Sequence, residues 1–368
     1  MQYDARMTMS MDNYNQNEAQ RMAERTRIVR TQELDTGYRP TQQTRLPLRG
    51  AGNHPPAQSG GGASRLPARS EPTPTGPVTL DSIVEQVRRL PALPDVAIQV
   101  MRMTGQETCS AQEIAQVISH DQSFAARILQ LANSAYYGLP RNVGTISEAV
   151  VLLGMRTVRN MAIAAATHDT LSREVIGYEL GRGDLWRHSL ACAMASQMVA
   201  ETARYPEAEE AFVAGLLHDI GKVVLSLHVR GMIALILERM EAENLSFLEA
   251  ERAVLGFDHA EVGGRIAAKW NLPVPLVQAI AYHHQPVQNG QVAPLTAVVH
   301  IANVICLIAG IGLGIDGLRT SISSVALKTL NLGEPHIEKA LCQLVTRVAQ
   351  AQPLFEMENL LQAGGQKR

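Results

Sequence analysis

The chain has 368 residues, 46% of them hydrophobic, and a formal net charge of -2. That is enough apolar material for one large or two ordinary domains with a sizeable core. A nearly neutral surface argues against a general grip on nucleic acid or on an anionic membrane, because neither polyanion is drawn to it unless the charge is segregated.

Residues 1–77 are rich in Gln, Asn, Arg, Thr, Pro and Gly, and leave through Pro72, Pro74 and Pro77. Such a stretch cannot bury enough apolar surface to offset its ordering entropy, so a disordered tail is expected. Its start has neither the basic opening nor the apolar core of an export signal, which predicts a cytoplasmic protein. The cysteines, Cys109, Cys192, Cys306 and Cys342, form no CxxC pair and sit in apolar or helical stretches. They are expected as buried free thiols in a reducing compartment.

Helical periodicity begins at Leu80, with Asp81 placed to cap a helix whose face carries Ile83, Val84, Val87 and Leu90. Leu90-Pro91-Ala92-Leu93-Pro94 breaks it, and Val96 to Met103 starts the next helix. Ser110-Ala111-Gln112-Glu113 has capping-box spacing ahead of Ile114 to Ile118, and Asp121 can cap a helix through Phe124, Ile128, Leu129 and Leu131. Thr145-Ile146-Ser147-Glu148 repeats the device ahead of a long apolar run to Ala166. The apolar run Val292 to Ile315 contains Pro294, His300 and Asn303 and ends in Gly310, Gly312 and Gly314, which predicts a buried helix followed by a glycine-rich loop rather than a membrane span. Ser321 to Leu361 is again helical in period. No alternating strands and no βαβ rhythm occur, so the fold class is all-α: a multi-helix bundle behind the tail.

The residues suited to chemistry fall in the second half. His188, His218, Asp219, His259, His283 and His284 combine imidazole with carboxylate, a set that suits divalent metals such as Zn, Mn, Fe or Ni at one or two sites. His218-Asp219 closes the apolar helix Ala211 to Leu217 and runs straight into Ile220-Gly221-Lys222. Two neighbouring ligands can face one ion where a helix ends and glycine lets the backbone turn. His188 lies early in a helix with Leu190, Met194 and Met198. His259 follows Asp258, a cap with Glu261 behind it, and His283-His284 ends the helix Val277 to Tyr282. The doublets His120-Asp121 and His168-Asp169 lack the Ile-Gly-Lys continuation and read as structural.

Leu217-His218-Asp219-Ile220-Gly221-Lys222 resembles the signature doublet of the HD phosphohydrolases, with His188 matching their preceding ligand histidine. His259 and His283-His284 are similar to the extra ligands of the HD-GYP phosphodiesterase branch. The first half resembles the HDOD family through Leu90 to Pro94, Asp121, Ile128 to Gly138 and Ile146 to Gly154, and Trp270-Asn271-Leu272-Pro273 continues the likeness. The resemblance spans residues 80–310. It implies an HDOD domain over 78–310, divided into a helical part at 78–175 and an HD-like part at 176–310, with a helical extension at 311–368.

The resemblance implies a regulatory or signalling module with an HD-like pocket for a divalent metal (Mn, Fe, Zn, Ni or Mg) and signalling proteins as partners. The alternative it leaves open is a metal-dependent phosphohydrolase acting on a nucleotide or other small phosphoester, with Asp219 as ligand and Lys222 as phosphate contact. Two departures favour the first. The superfamily's last ligand, an aspartate in a late apolar helix, is matched by Asn303, and a neutral amide is the weaker ligand. The Gly-Tyr-Pro element expected after His283-His284 is replaced by Gln285-Pro286-Val287-Gln288.

Overall fold

The computed structural model describes residues 95–104, 109–312 and 321–355, together with Ile83 and Gly314. The expected tail at 1–77 and most of the first expected helix lie outside the described residues; Ile83 is helical and buried. Among the described residues there is no strand, only two isolated bridges. The fold is all-helical, as the periodicity predicts.

The first half contains α1 (Asp95–Thr104), α2 (Ala111–Ser119), α3 (Gln122–Ala132), α4 (Ile146–Leu153) and α5 (Met155–Leu171). Ser110 and Glu113 form the expected reciprocal cap of α2, and the Asp121 carboxylate accepts the Phe124 N–H at the start of α3. Each such cap is worth about 1 kcal/mol, so these starts are fixed locally before packing contributes. Thr145 caps α4 by accepting the Glu148 N–H. The apolar run to Ala166 is not one helix: it breaks at Gly154, where φ is +86°. That turn leaves Val151 and Leu152 of α4 exposed, while α5 packs against α1 and α3.

The second half contains α6 (Asp184–Thr202), α7 (Ala208–Leu217), α8 (Gly221–Ala242), α9 (Phe247–Leu255), α10 (His259–Lys269), α11 (Val274–Tyr282) and α12 (Pro294–Ile308), preceded by a short 3-10 turn, Ile176–Tyr178. α6 and α12 pack on each other, and both lie against α7. Both are buried on nearly every face, so their sequences lack an amphipathic stripe. This explains the apolar run that starts at Val292: it is a core helix, followed by the expected glycine-rich turn. No single helix among the described residues is long and apolar enough to cross a membrane.

The chain ends in α13 (Ser324–Thr329), α14 (Glu334–Gln350) and α15 (Gln352–Phe355). α14 packs on α6 and α12, and the Trp186 indole N–H of α6 donates to the Leu354 carbonyl, so this segment completes the bundle. The cysteines correct one expectation. All are free, and Cys192 and Cys306 are buried, but Cys109 is half-buried and Cys342 exposed. Cys342 lies on the solvent face of α14, an amphipathic helix in which a helical setting does not imply burial.

Candidate metal centre

Four helices deliver the histidines to one point, and a fifth adds Asn303. α7 ends at Leu217, and His218, Asp219 and Ile220 make a tight turn in which the Ile220 N–H donates to Leu217 and the Lys222 N–H to Asp219. α8 then starts at Gly221, pressed against the start of α10. A Cβ at Gly221 would lie 1.9 Å from the His259 carbonyl oxygen, so only glycine permits this approach, and the approach brings His259 to the doublet. α6 supplies His188 from its first turns, the end of α11 supplies His283 and His284, and the middle of α12 supplies Asn303.

Asp219 stands at the centre. Its Oδ2 lies 3.2 Å from His218 Nε2 and 3.5 Å from His188 Nε2. Its Oδ1 lies 3.6 Å from both His259 Nε2 and His283 Nε2. His284 joins the second group, with Nε2 3.0 Å from His259 Nε2. The cluster therefore has two halves sharing one carboxylate, His188–His218–Asp219 and Asp219–His259–His283–His284. Asn303 Oδ1 is 3.1 Å from His188 Nε2. Lys222, buried beside them, places Nζ 2.6 Å from Asp219 Oδ2 and 5.7 Å from the centre of the Tyr178 ring. Every residue singled out in the sequence is brought together.

The rings are oriented from behind. His188 Nδ1–H donates to the Ile311 carbonyl at 3.0 Å, His218 Nδ1–H to Gly215 at 2.7 Å and His283 Nδ1–H to Ile280 at 2.8 Å. His259 Nδ1–H donates to the Glu251 carboxylate at 2.7 Å. Carbonyl and carboxylate oxygens only accept, so each of these bonds commits Nδ1 as the donor. In a neutral ring the inward Nε2 then carries a lone pair. Imidazoles held in this way are the usual arrangement behind a bound metal.

Several of these supports were not visible in the sequence reading. Glu251 is fully buried, and its carboxylate also accepts the Tyr178 hydroxyl and the His259 backbone N–H. The signal was present: Phe247, Glu251 and Leu255 recur every four residues, which puts an acid on the buried stripe of α9. Gly312 sits at φ +67°, and a Cβ there would lie 2.4 Å from His188 Cβ. The glycine-rich turn after α12 therefore serves to bring the Ile311 carbonyl to His188. His300 donates Nδ1–H to the His283 carbonyl and accepts the Ser323 N–H, tying the end of α11 to α13.

The two control doublets take no part in the cluster, as expected, and Asp169 instead pairs with Arg127 at 3.0 Å. Asp121 caps α3, and His168 contacts its neighbours Asp169 and Ser172.

Burial and charge pull the ionisable groups of the site in opposite directions. Burial raises the Asp219 carboxyl, but His218 and Lys222 outweigh it and hold the group well below the usual carboxylate range. Burial pulls His188 down to about 4, helped by His218, and pulls His283 down to about 4. It also pulls His284 well down. His218 goes the other way: burial opposes protonation, but Asp219 and Cys192 push it up to about 10. Burial lowers His259 while Glu251 outweighs it and raises the group.

Buried acceptors left without a donor cost about 1–3 kcal/mol each. Asp219 Oδ1 and His283 Nε2 are two such atoms, facing each other with no hydrogen-bond partner. Two lone pairs aimed into one space, in a set of imidazoles and a carboxylate, fit a divalent cation of the Zn, Mn, Fe or Ni class.

The sequence profile of the HDOD domain matches residues 90–286. The fold is similar to an HDOD domain protein of unknown function from Geobacter sulfurreducens, with TM-score 0.60 and 25% identity over 75% of this chain and 99% of that one. It is also similar to a candidate phosphohydrolase from Shewanella amazonensis, with TM-score 0.51 and 27% identity over 72% of this chain and 98% of that one. A candidate signal transduction protein from Marinobacter aquaeolei shares the fold at TM-score 0.62 and 20% identity, over 76% of this chain and 64% of that one. An uncharacterized protein from Treponema pallidum is 26% identical over 225 residues, which is 61% of this chain. The matched region spans only 43% of that curated relative's length.

Proposed function

The chain belongs to the HDOD domain family, and from that premise we propose that it is a regulatory or signalling module, built around a buried divalent-metal centre and performing little or no catalysis. The observation that carries this reading is closure. His188, His218, Asp219, His259 and His283 are exposed by 2%, 0%, 1%, 0% and 0%. A metal that does chemistry keeps a position open to water or substrate, whereas an enclosed one organises the fold.

Either half of the cluster, His188, His218 and Asp219 with Asn303 as a weak donor, or Asp219, His259, His283 and His284, would hold an ion. When bound it would supply Lewis acidity and a cross-link between helices. The chain's own part is to fix ring orientation through Ile311, Gly215, Ile280 and Glu251, and to exclude water. Lys222 is turned inward onto Asp219, so its ammonium is committed to a buried carboxylate rather than offered to a phosphate. A closed module of this kind acts through its surface, on signalling proteins in the cytoplasm.

The second reading is a metal-dependent phosphohydrolase acting on a nucleotide or another small phosphoester. One observation favours it: His284 is only partly buried, which gives the centre an edge toward solvent. Metal content of untagged protein, followed by assay against bis(p-nitrophenyl) phosphate and nucleotides, separates the two. Stoichiometric metal without turnover is the expected result. Turnover abolished by His218→Ala would establish the hydrolase instead, and absence of metal would remove the centre from the account.

A further inference from the structure

The two halves of the cluster are not equivalent in what already fills them, and the difference bears on how many ions the centre holds. In the half formed by His188, His218 and Asp219 Oδ2, protein groups meet the lone pairs. The Lys222 ammonium lies 2.6 Å from Asp219 Oδ2. His188 has Nδ1–H committed to Ile311, so its Nε2 is an acceptor, and the Asn303 amide, whose two ends are isosteric, can turn to donate an N–H across the 3.1 Å gap. An aspartate at this position could not donate in its charged form. Turned that way, Asn303 would do more than weaken a ligand: it would supply a hydrogen where a metal would otherwise be needed.

In the other half His284 meets His259 Nε2 at 3.0 Å, but no protein group meets the carboxylate oxygen or His283 Nε2. Asp219 Oδ1 and His283 Nε2 are the orphaned acceptors, and both belong to this half. His259 Nε2 and His283 Nε2 each lie 3.6 Å from Asp219 Oδ1. Ligand atoms about 2.1 Å from a tetrahedral ion are about 3.4 Å apart, so the spacing matches an edge of such a site. The spacings in the first half are also compatible with an ion, so distance does not separate the halves; occupancy by protein groups does.

Charge points the same way. Asp219, Glu251 and Lys222 are all buried. These three groups sum to −1, so one divalent ion brings them to about +1 and two to about +3, before any charge on the imidazoles is added, in a region where each uncompensated ion costs several kcal/mol.

Resting on the metal-centre reading above, we infer that the centre holds a single divalent ion, in the half formed by Asp219, His259, His283 and His284, and that Lys222 and Asn303 take the place of a second ion in the other half.

Zinc added to the untagged full chain, with excess removed by dialysis, tests this by the zinc-to-protein ratio. The expected ratio is one, falling below 0.1 in His283→Ala and staying near one in His188→Ala, with circular dichroism confirming helical content. Anomalous diffraction at the zinc edge on wild-type crystals locates the ion without any variant, so the inference stands or falls even where a variant does not fold. The paired change Lys222→Met with Asn303→Asp should raise the ratio to two. A wild-type ratio of two, or a single ion found beside His188, overturns the inference and leaves the metal centre intact. A ratio that stays at one in the folded paired variant overturns the roles given to Lys222 and Asn303. A wild-type ratio of zero overturns the metal centre itself.

Discussion

Replacing Glu251 by glutamine probes how far the centre is held from behind its ligands. The carboxylate accepts from the Tyr178 hydroxyl, from the His259 N–H at 3.1 Å and from His259 Nδ1–H at 2.7 Å, all away from solvent. Glutamine keeps the volume, and its one carbonyl oxygen can still take both His259 bonds. What it loses is the charge, which roughly doubles the strength of such bonds. With net contributions of about 1.5–3 kcal/mol per bond to a charged acceptor, the expected cost to the metal-free protein is about 2 kcal/mol. His259 Nε2 also becomes less basic, and zinc affinity should fall about 10–100-fold.

Glu251→Ala removes both acceptor oxygens and with them all three bonds, and should cost about 3–5 kcal/mol. Urea denaturation in EDTA gives the stability change, and calorimetric zinc titration gives the affinity change. A glutamine variant indistinguishable from wild type in both would refute the role given to the Glu251 charge, and an alanine variant indistinguishable from wild type would refute the claim that Glu251 orients His259.

Other perturbations have equally direct outcomes. Gly312→Ala places a Cβ 2.4 Å from His188 Cβ at a φ of +67°, so the Ile311 carbonyl should be pushed off the ring; a loss of about 1–3 kcal/mol is expected in the denaturation midpoint. Gly221→Ala is more severe, because its Cβ would meet the His259 backbone oxygen at 1.9 Å; at least about 4 kcal/mol should be lost, read as the absence of a cooperative thermal transition. pH should act from both sides on the metal-free protein. His188 and His283, held near 4 when folded and at 6.5 otherwise, contribute stability above pH 6.5 that disappears as pH falls toward 4. His218, raised to about 10, contributes fully below pH 6.5 and progressively less as pH rises toward 10. Thermal midpoints in EDTA should therefore peak near pH 6.5, and a flat profile from pH 4 to 10 would contradict the assigned environments.

Much of this architecture was legible locally. Ser110 with Glu113, Asp121 and Asp258 mark helix starts because a side chain meets the backbone within three residues, an interaction written in adjacent letters. His218-Asp219 at the end of α7 is legible too, although Gly221, read as the residue that lets the backbone turn, is instead helical and needed for the close approach of α8 to His259.

What escaped is tertiary. The break at Gly154, at φ +86°, parts α4, which packs on α2, from α5, which packs on α1, and an apolar run read in one dimension continued through it. Glu251 stands in a charged stretch with Glu249 and Arg252, and its register with Phe247 and Leu255 is what places it inward. Ile311 acts through a carbonyl, which every residue has, and only the φ of Gly312 and its contact with His188 reveal its task. Asn303 was recognised as a departure, but its capacity to donate a hydrogen to His188 depends on Ile311 holding the far side of that ring.

Zinc titration of untagged metal-free protein, wild type beside Asp219→Asn, tests the centre most directly, since both halves share that carboxylate. Saturable binding by wild type and loss of at least about 100-fold in the variant is the predicted result. Equal binding by both proteins, with helical content unchanged, would mean that the converging imidazoles do not form a metal centre around Asp219.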